Sequence, residues 1–389
     1  MIHENLLASS IVPPTAIFTL HFASIVQEED NCNSDNWKEL FPHECGSVLG
    51  MHLNWENSAM KITRGQISIQ IGFALLIVVL CCLPIADAAQ KKALKSGFRS
   101  LSLATHDGRR TYLAYIPSSY DAKKSLPLVL MLHGGGGTGR AAMWETGWAE
   151  KAESEGLVVA FPDAMPPDAT LASHFSRNPQ LWNDGSGRFF SEQKAVDDVA
   201  FINATLDDLI NRYAIDRKRI FVTGFSNGAS MSFRVGAELS SRIAAIAPVA
   251  GACWLESIQL RRPVSMCYIT GTADPLNLIN GGRPKLANGS SDDVRVKAKP
   301  PVRTSILKWL SAIGSTSTPA KVSDVNGVRT ETYGTDLNGT GVAYITVAEL
   351  GHTWAGGKSL LPEHMVGKTS NKINATDVIW TFFQQHPMR

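Results

Sequence analysis

The sequence is poor in cysteine, has no strong excess of charge of either sign, and contains no internal repeat, low-complexity tract or interdomain linker. Lysine and arginine total 37 against 35 acidic residues over 389 positions, a net charge of +2. That balance is too near neutral to argue for a nucleic-acid partner. Only six cysteines occur, and no HExxH or CxxC spacing appears after residue 88. The usual ligand patterns for zinc or a redox dithiol are therefore missing, and neither metal nor cofactor is expected. At 44% hydrophobic residues the composition is that of a globular chain, and it excludes little else.

The N-terminal region carries a targeting pattern. Met60-Lys61-Ile62-Thr63-Arg64 opens a basic segment, Ile71 to Ile85 forms an apolar run interrupted by Pro84, and Ala86-Asp87-Ala88 supplies an AxA ending. In that order these make a secretory signal. The expectation is a start at Met60, an upstream extension over 1–59, cleavage after Ala88 and a catalytic domain over 89–389, giving a secreted or periplasmic protein without stable membrane association. The alternative, an anchor formed by 71–85, needs about 20 apolar residues, and this run is short for that. Of the cysteines, Cys253 and Cys267 then remain, either bridged or as two buried thiols.

From Arg109 onward strand-like and helix-like patterns alternate. Strands are expected over RRTYLAYIP (109–117), Leu126–Leu132, Leu157–Phe161, Arg219–Phe225, Ile243–Val249, Val264–Thr270 and Val342–Val347. Helices are expected over Arg140–Ser154, Ala195–Tyr213, Val302–Ile313 and Ala375–Gln385, with a long loop over 165–194. The continuous apolar run Leu126–Leu132 suits a strand buried on both faces. Alternation of this kind predicts one domain with a mostly parallel, doubly wound sheet.

Chemistry concentrates at Gly224-Phe225-Ser226-Asn227-Gly228, between a short apolar strand and a helix. Glycines on either side remove Cβ atoms where strand and helix cross, which lets a serine sit in a strained turn with its hydroxyl exposed. Ser226 is the candidate nucleophile, although a Gly/Ser/Asn turn can also be a plain connection. The backbone N–H of Asn227, at the start of the helix, would face an oxyanion. Partners for such a serine follow it in the order Asp, then His. His352, just past a strand in Gly351-His352-Thr353-Trp354, is favoured over His364 and His386, and the preceding glycine is expected to permit a tight turn. Asp274, at a strand end in Gly271-Thr272-Ala273-Asp274-Pro275, is favoured over Asp292, Asp293, Asp324, Asp336 and Asp377. A turn-forming aspartate before proline would need no function.

His133-Gly134-Gly135-Gly136-Gly137 has the look of an HGGG oxyanion loop, in which Gly134 or Gly135 joins Asn227 as donor. The same glycines allow a different class of reading. Gly134-x-Gly136-x-x-Gly139 between strand and helix, with Asp163 near the ribose position, fits a dinucleotide-binding oxidoreductase. That reading leaves Ser226, Asp274 and His352 unexplained.

Taken together, Leu132-His133-Gly134-Gly135, Leu181-Trp182-Asn183-Asp184-Gly185, Val196 to Ile202, the Ser226 pentapeptide, Gly271 to Pro275 and Gly351 to Trp354 resemble the secreted polyhydroxybutyrate depolymerase and feruloyl esterase group of α/β hydrolases. The resemblance runs from about Arg99 to the C-terminus. It implies an α/β-hydrolase fold and a serine esterase with Ser226 as nucleophile, His352 as general base and then acid, and Asp274 as its orienter. Polymer-degrading members often carry a linker and a separate binding domain, and neither pattern is present, so soluble short-chain hydroxyalkanoate or hydroxycinnamoyl esters are the expected substrates. Trp182 and Trp354 are candidates for an aromatic acyl pocket. The competing class is a catalytically silent ligand-binding protein on the same fold.

Overall fold

The computed structural model describes residues 96–187, 196–284, 298–335 and 339–389. The leader pattern, Asp292, Asp293 and Asp336 lie outside them. Ten strands form one sheet: β1 (Gly97–Thr105), β2 (Gly108–Ile116), β3 (Leu126–Leu132), β4 (Val158–Pro162), β5 (Ile215–Phe225), β6 (Ala245–Val249), β7 (Ser265–Gly271), β8 (Lys321–Val325), β9 (Val328–Thr335) and β10 (Thr340–Val347). Their spatial order is β1-β2-β4-β3-β5-β6-β7-β10-β9-β8. From β4 to β10 every neighbouring pair is parallel. Antiparallel pairs close both edges. The fold is that of an α/β hydrolase, a mostly parallel sheet with helices on both faces.

Alternation along the central strands explains the two cores. In β3, Leu128, Leu130 and Leu132 point to one face and Val129 and Met131 to the other, because successive side chains on a strand face opposite ways. The first face is covered by α3 (Asp198–Arg212), α4 (Asn227–Glu238) and α5 (Val302–Ala312) through Ile202, Leu206, Phe233, Ile306 and Trp309. On the second lie α1 (Gly139–Thr146), α2 (Trp148–Glu155) and α7 (Ala375–Gln385), with Trp148, Ile379 and Phe383 facing the sheet. Phe383 stacks on Phe221 of β5 with ring centroids 4.5 Å apart. A short helix, α6 (Glu363–Val366), precedes α7.

Three expectations need correction. The single helix over 140–154 is two, because Gly147 adopts φ 68°, caps α1 and starts α2. Helix 195–213 is shorter, since Asp197 is the N-cap of α3 and accepts from Ala200 N–H at 2.9 Å. Strand and helix also do not alternate throughout: β1, β8 and β9 add antiparallel edges. Cys253 and Cys267 are buried free thiols, pushed up to about 11 and about 12 by burial.

Candidate active site

Ser226 follows β5 directly and is the N-cap of α4, with φ 56° and ψ −114°. A non-glycine residue there stores about 1–3 kcal/mol, held only if its surroundings over-determine it. They do. Ser226 N–H donates to Val249 O at 2.9 Å. A Cβ on Gly224 would lie 2.3 Å from Gly228 O, and one on Gly228 would lie 2.2 Å from Leu132 O. Strand and helix therefore meet backbone to backbone, and the turn between them has one geometry available. The hydroxyl emerges at the C-terminal end of the sheet.

Asp274 follows β7 and His352 follows β10, and these two strands are parallel neighbours in the sheet. His352 Nδ1 lies 2.8 Å from Asp274 Oδ2, and His352 Nε2 lies 2.8 Å from Ser226 Oγ. Asp274 Oδ1 accepts the amides of Leu276 and Asn277 at 2.8 and 2.7 Å. Burial alone would raise the Asp274 carboxyl, but the imidazole, its hydrogen bond and the two amides outweigh it, so the group is held below the usual carboxylate value. An ionised Asp274 makes Nδ1 the donor and leaves Nε2 as the acceptor toward the serine hydroxyl. Phe225 packs on the His352 ring at 4.8 Å. The positive φ in this turn belongs to Glu349, at 66°, and not to Gly351. Gly351 is required for proximity instead: a Cβ there would sit 2.3 Å from Val366 O.

The structure places Gly134 and Gly135 beside the same serine. A Cβ on Gly134 would lie 3.6 Å from Ser226 Cβ, and one on Gly135 would lie 3.6 Å from Asn227 Cβ. Among the described residues, the amides of Gly135 and Asn227 bond no protein acceptor. Buried His133 fixes the loop's start: its Nε2 accepts Ala164 N–H at 3.0 Å, so Nδ1 carries the proton and donates to Gly134 O at 2.7 Å. Burial lowers its pKa and keeps the ring neutral.

The tryptophans are elsewhere. Trp182 is fully buried and Trp354 nearly so, and neither lines the cavity at Ser226. Trp354 donates its indole N–H to Thr376 Oγ1 at 3.0 Å and meets Phe225 edge to face. Both lie behind the pocket because each indole N–H is satisfied inside the protein, which a substrate-facing ring would not need. Trp182 instead bridges the glycine loop and the elbow. Its indole N–H donates to His133 O at 3.0 Å, its amide donates to Asn227 Oδ1 at 2.7 Å, and its carbonyl accepts from Asn227 Nδ2 at 3.1 Å. Asn227 Nδ2 also donates to Asp184 Oδ2 at 2.9 Å.

That connection extends to a buried ion pair that sequence reasoning did not find. Arg110 Nη2 meets Asp198 Oδ1 at 2.6 Å, and Asp198 Oδ2 accepts Asn183 N–H at 2.7 Å. Arg110 also lies 4.1 Å over the Phe201 ring. Strand β2, helix α3 and the 181–184 loop are thus tied to the side chain of Asn227. Arginine and aspartate 88 positions apart give no local signal of pairing.

A cavity of about 630 Å³ opens over Ser226, walled by Phe175, Leu181, Phe225, Leu360 and Met365 among others, with Glu145 also on its surface. His364 lines it as an exposed side chain. Among the described residues no group of three or more His, Cys, Asp or Glu side chains is placed to hold a metal ion. The dinucleotide reading fails on Asp163: its Oδ1 accepts Gly139 N–H at 2.7 Å and its Oδ2 accepts Thr111 Oγ1–H at 2.9 Å. The carboxylate expected on a ribose is spent on the start of the very helix that would receive a phosphate.

Residues 118–276 match the family model described as phospholipase/carboxylesterase. NocK of Nocardia uniformis subsp. tsuyamanensis, whose name assigns it as an esterase, is 27% identical over 66% of this chain and 73% of that protein. Feruloyl esterase B of Piromyces equi is 27% identical over 64% of this chain and 44% of its own length. Poly(3-hydroxyalkanoate) depolymerase C of Paucimonas lemoignei is 26% identical over 44% of this chain and 39% of that protein. The chain thus spans less than half of the latter two relatives. With its sheet order and element order, the chain has the α/β-hydrolase fold, and it resembles the feruloyl esterase and polyhydroxyalkanoate depolymerase group.

Proposed function

We propose that this protein hydrolyses carboxylic esters through an acyl-enzyme formed on Ser226. The observation that carries the reading is the unbroken hydrogen-bonded chain from Asp274 through His352 to Ser226, with 2.8 Å at each imidazole nitrogen. In the first half-reaction Ser226 Oγ attacks the ester carbonyl while its proton passes to His352 Nε2. Asp274 stabilises the resulting imidazolium through Nδ1–H. The oxyanion is received by the amides of Asn227 and of Gly134 or Gly135, worth about a hundred- to a thousand-fold in rate per donor. Collapse breaks the C–O bond, and His352 returns its proton to the leaving alkoxide. Water then repeats the sequence on the acyl-enzyme and releases the acid.

Within this class the substrates we favour are short hydroxyalkanoate or hydroxycinnamoyl esters, as the names of the relatives and the largely apolar cavity support. Export through the segment 60–88 is part of the same reading. Hydrolysis of p-nitrophenyl acetate by the native chain and by Ser226→Ala tests the mechanism. The variant should lose at least about 10⁴-fold in kcat with an unchanged circular dichroism spectrum. Equal activity in both would dismiss the mechanism, and no turnover by the native protein would favour a silent binding protein. Methyl ferulate, a hydroxybutyrate oligomer and a short aliphatic ester, compared by kcat/KM, then separate the substrate classes.

A further inference from the structure

Glu145 has no part in the chemistry above, yet it lines the same cavity as Ser226 and His352. It is the one carboxylate on that surface among the described residues, and the apolar residues lining the same cavity include Ala141, Phe175, Leu360, Leu361 and Met365. It stands in the last turn of α1 (Gly139–Thr146), the end of a helix that disfavours negative charge. Among the described residues it forms no ion pair. Lys358, from the adjoining segment, lies over the Trp144 ring at 5.1 Å. Burial pushes the Glu145 carboxyl up to about 7, opposed by a hydrogen bond from the Leu360 backbone.

The backbone ties α1 to the loop that follows Trp354 as well: Lys358 N–H donates to Glu145 O at 2.9 Å. A buried carboxyl that forms no ion pair is costly, and such groups concentrate at functional sites. The carboxyl is the one acidic group on this cavity among the described residues, and it is suited to accept a hydrogen bond from a hydroxyl of the substrate away from the reacting ester.

We propose that Glu145 is a specificity-determining residue that hydrogen-bonds a free hydroxyl carried by the substrate, so that hydroxylated esters are preferred over counterparts in which that hydroxyl is methylated or missing. The inference rests on the esterase reading and deepens it. The hydroxyl has two sources, a phenol on an aromatic acyl group or a secondary alcohol on an aliphatic one, and the recognition chemistry is the same for both.

The test measures kcat/KM for two matched pairs, methyl ferulate against methyl 3,4-dimethoxycinnamate and methyl 3-hydroxybutyrate against methyl butyrate, in the native protein, Glu145→Gln and Glu145→Leu. The native protein should favour the hydroxylated member about tenfold or more in at least one pair, in keeping with a hydrogen bond to a charged or strongly polar acceptor. That pair identifies the source. The ratio should shrink in Glu145→Gln, which keeps shape and a neutral acceptor, and approach one in Glu145→Leu. Ratios within one preparation cancel any loss of folded protein, so a merely structural role would lower both members equally. A native ratio near one in both pairs, or a ratio that survives Glu145→Leu, overturns the inference while leaving the esterase reading intact. Absence of Ser226-dependent hydrolysis of p-nitrophenyl acetate overturns the esterase reading, and this inference with it.

Discussion

The centre of the sheet and its antiparallel edges use the same backbone hydrogen bonds for opposite purposes. In β3 six of seven residues are buried, whereas in β8 four of five are exposed. At the centre, β5 runs into α4 with backbone approaching backbone, and the serine between them is held at a φ that its residue type disfavours. At the edge, β8 and β9 meet through Asn326-Gly327, with φ 54° and 75°, a two-residue turn whose conformation suits these residue types. The strained serine at the centre is thus held by backbone on both sides, and the edges supply closure with little constraint on side chains.

That contrast can be broken or sharpened by substitution. The largest effect is expected from Gly228→Ala, whose methyl group would lie 2.2 Å from Leu132 O. Backbone on both sides cannot yield, so a loss on the order of 3 kcal/mol or failure to fold is expected in urea denaturation. A loss under about 1 kcal/mol would show that the elbow is not over-determined. Trp182→Phe should be intermediate. It removes the indole donor from buried His133 O, a loss of about 1–3 kcal/mol, and loosens the tie between the glycine loop and the elbow. Steady-state kinetics on p-nitrophenyl acetate should show kcat falling about tenfold with KM nearly unchanged, because the loosened donors act on the transition state; a change in KM alone would place Trp182 in substrate binding after all. The smallest effect belongs to the edge: Val325→Thr, at a residue 62% exposed, should move stability by no more than about 0.5 kcal/mol and leave activity as it was. A larger loss there would mean the edge is as constrained as the centre.

How far this was legible in the sequence follows the same line. Strands β3, β5, β6, β7 and β10 stand out because burial on both faces writes them as apolar runs, and Ser226, Asp274 and His352 are locatable because each follows such a run in chain order. Strands β1, β8 and β9 carry the mixed, partly exposed pattern of an edge and show no apolar run, although the Asn326-Gly327 pair is a recognisable hairpin signal. Gly351 reads as a turn glycine because a glycine's two uses, positive φ and close approach, look alike in a sequence. Residue type alone suggests Trp182 and Trp354 for the pocket. What sends them behind it is a partner for each indole N–H, His133 O and Thr376 Oγ1, and such long-range partners leave no periodic trace. Asp198 reads as a first-turn acidic residue, and only the fold reveals its pairing with Arg110.

The account turns on one nucleophile activated by one imidazole, and covalent trapping tests this most directly. Diethyl p-nitrophenyl phosphate should react once per chain, with Ser226 Oγ bonding phosphorus as p-nitrophenolate leaves, and intact mass with peptide mapping should place the diethylphosphoryl group on Ser226. His352→Ala should slow that reaction by a factor on the order of a hundred or more. A chain that stays unmodified, or that is labelled elsewhere at a rate indifferent to His352, would contradict the account.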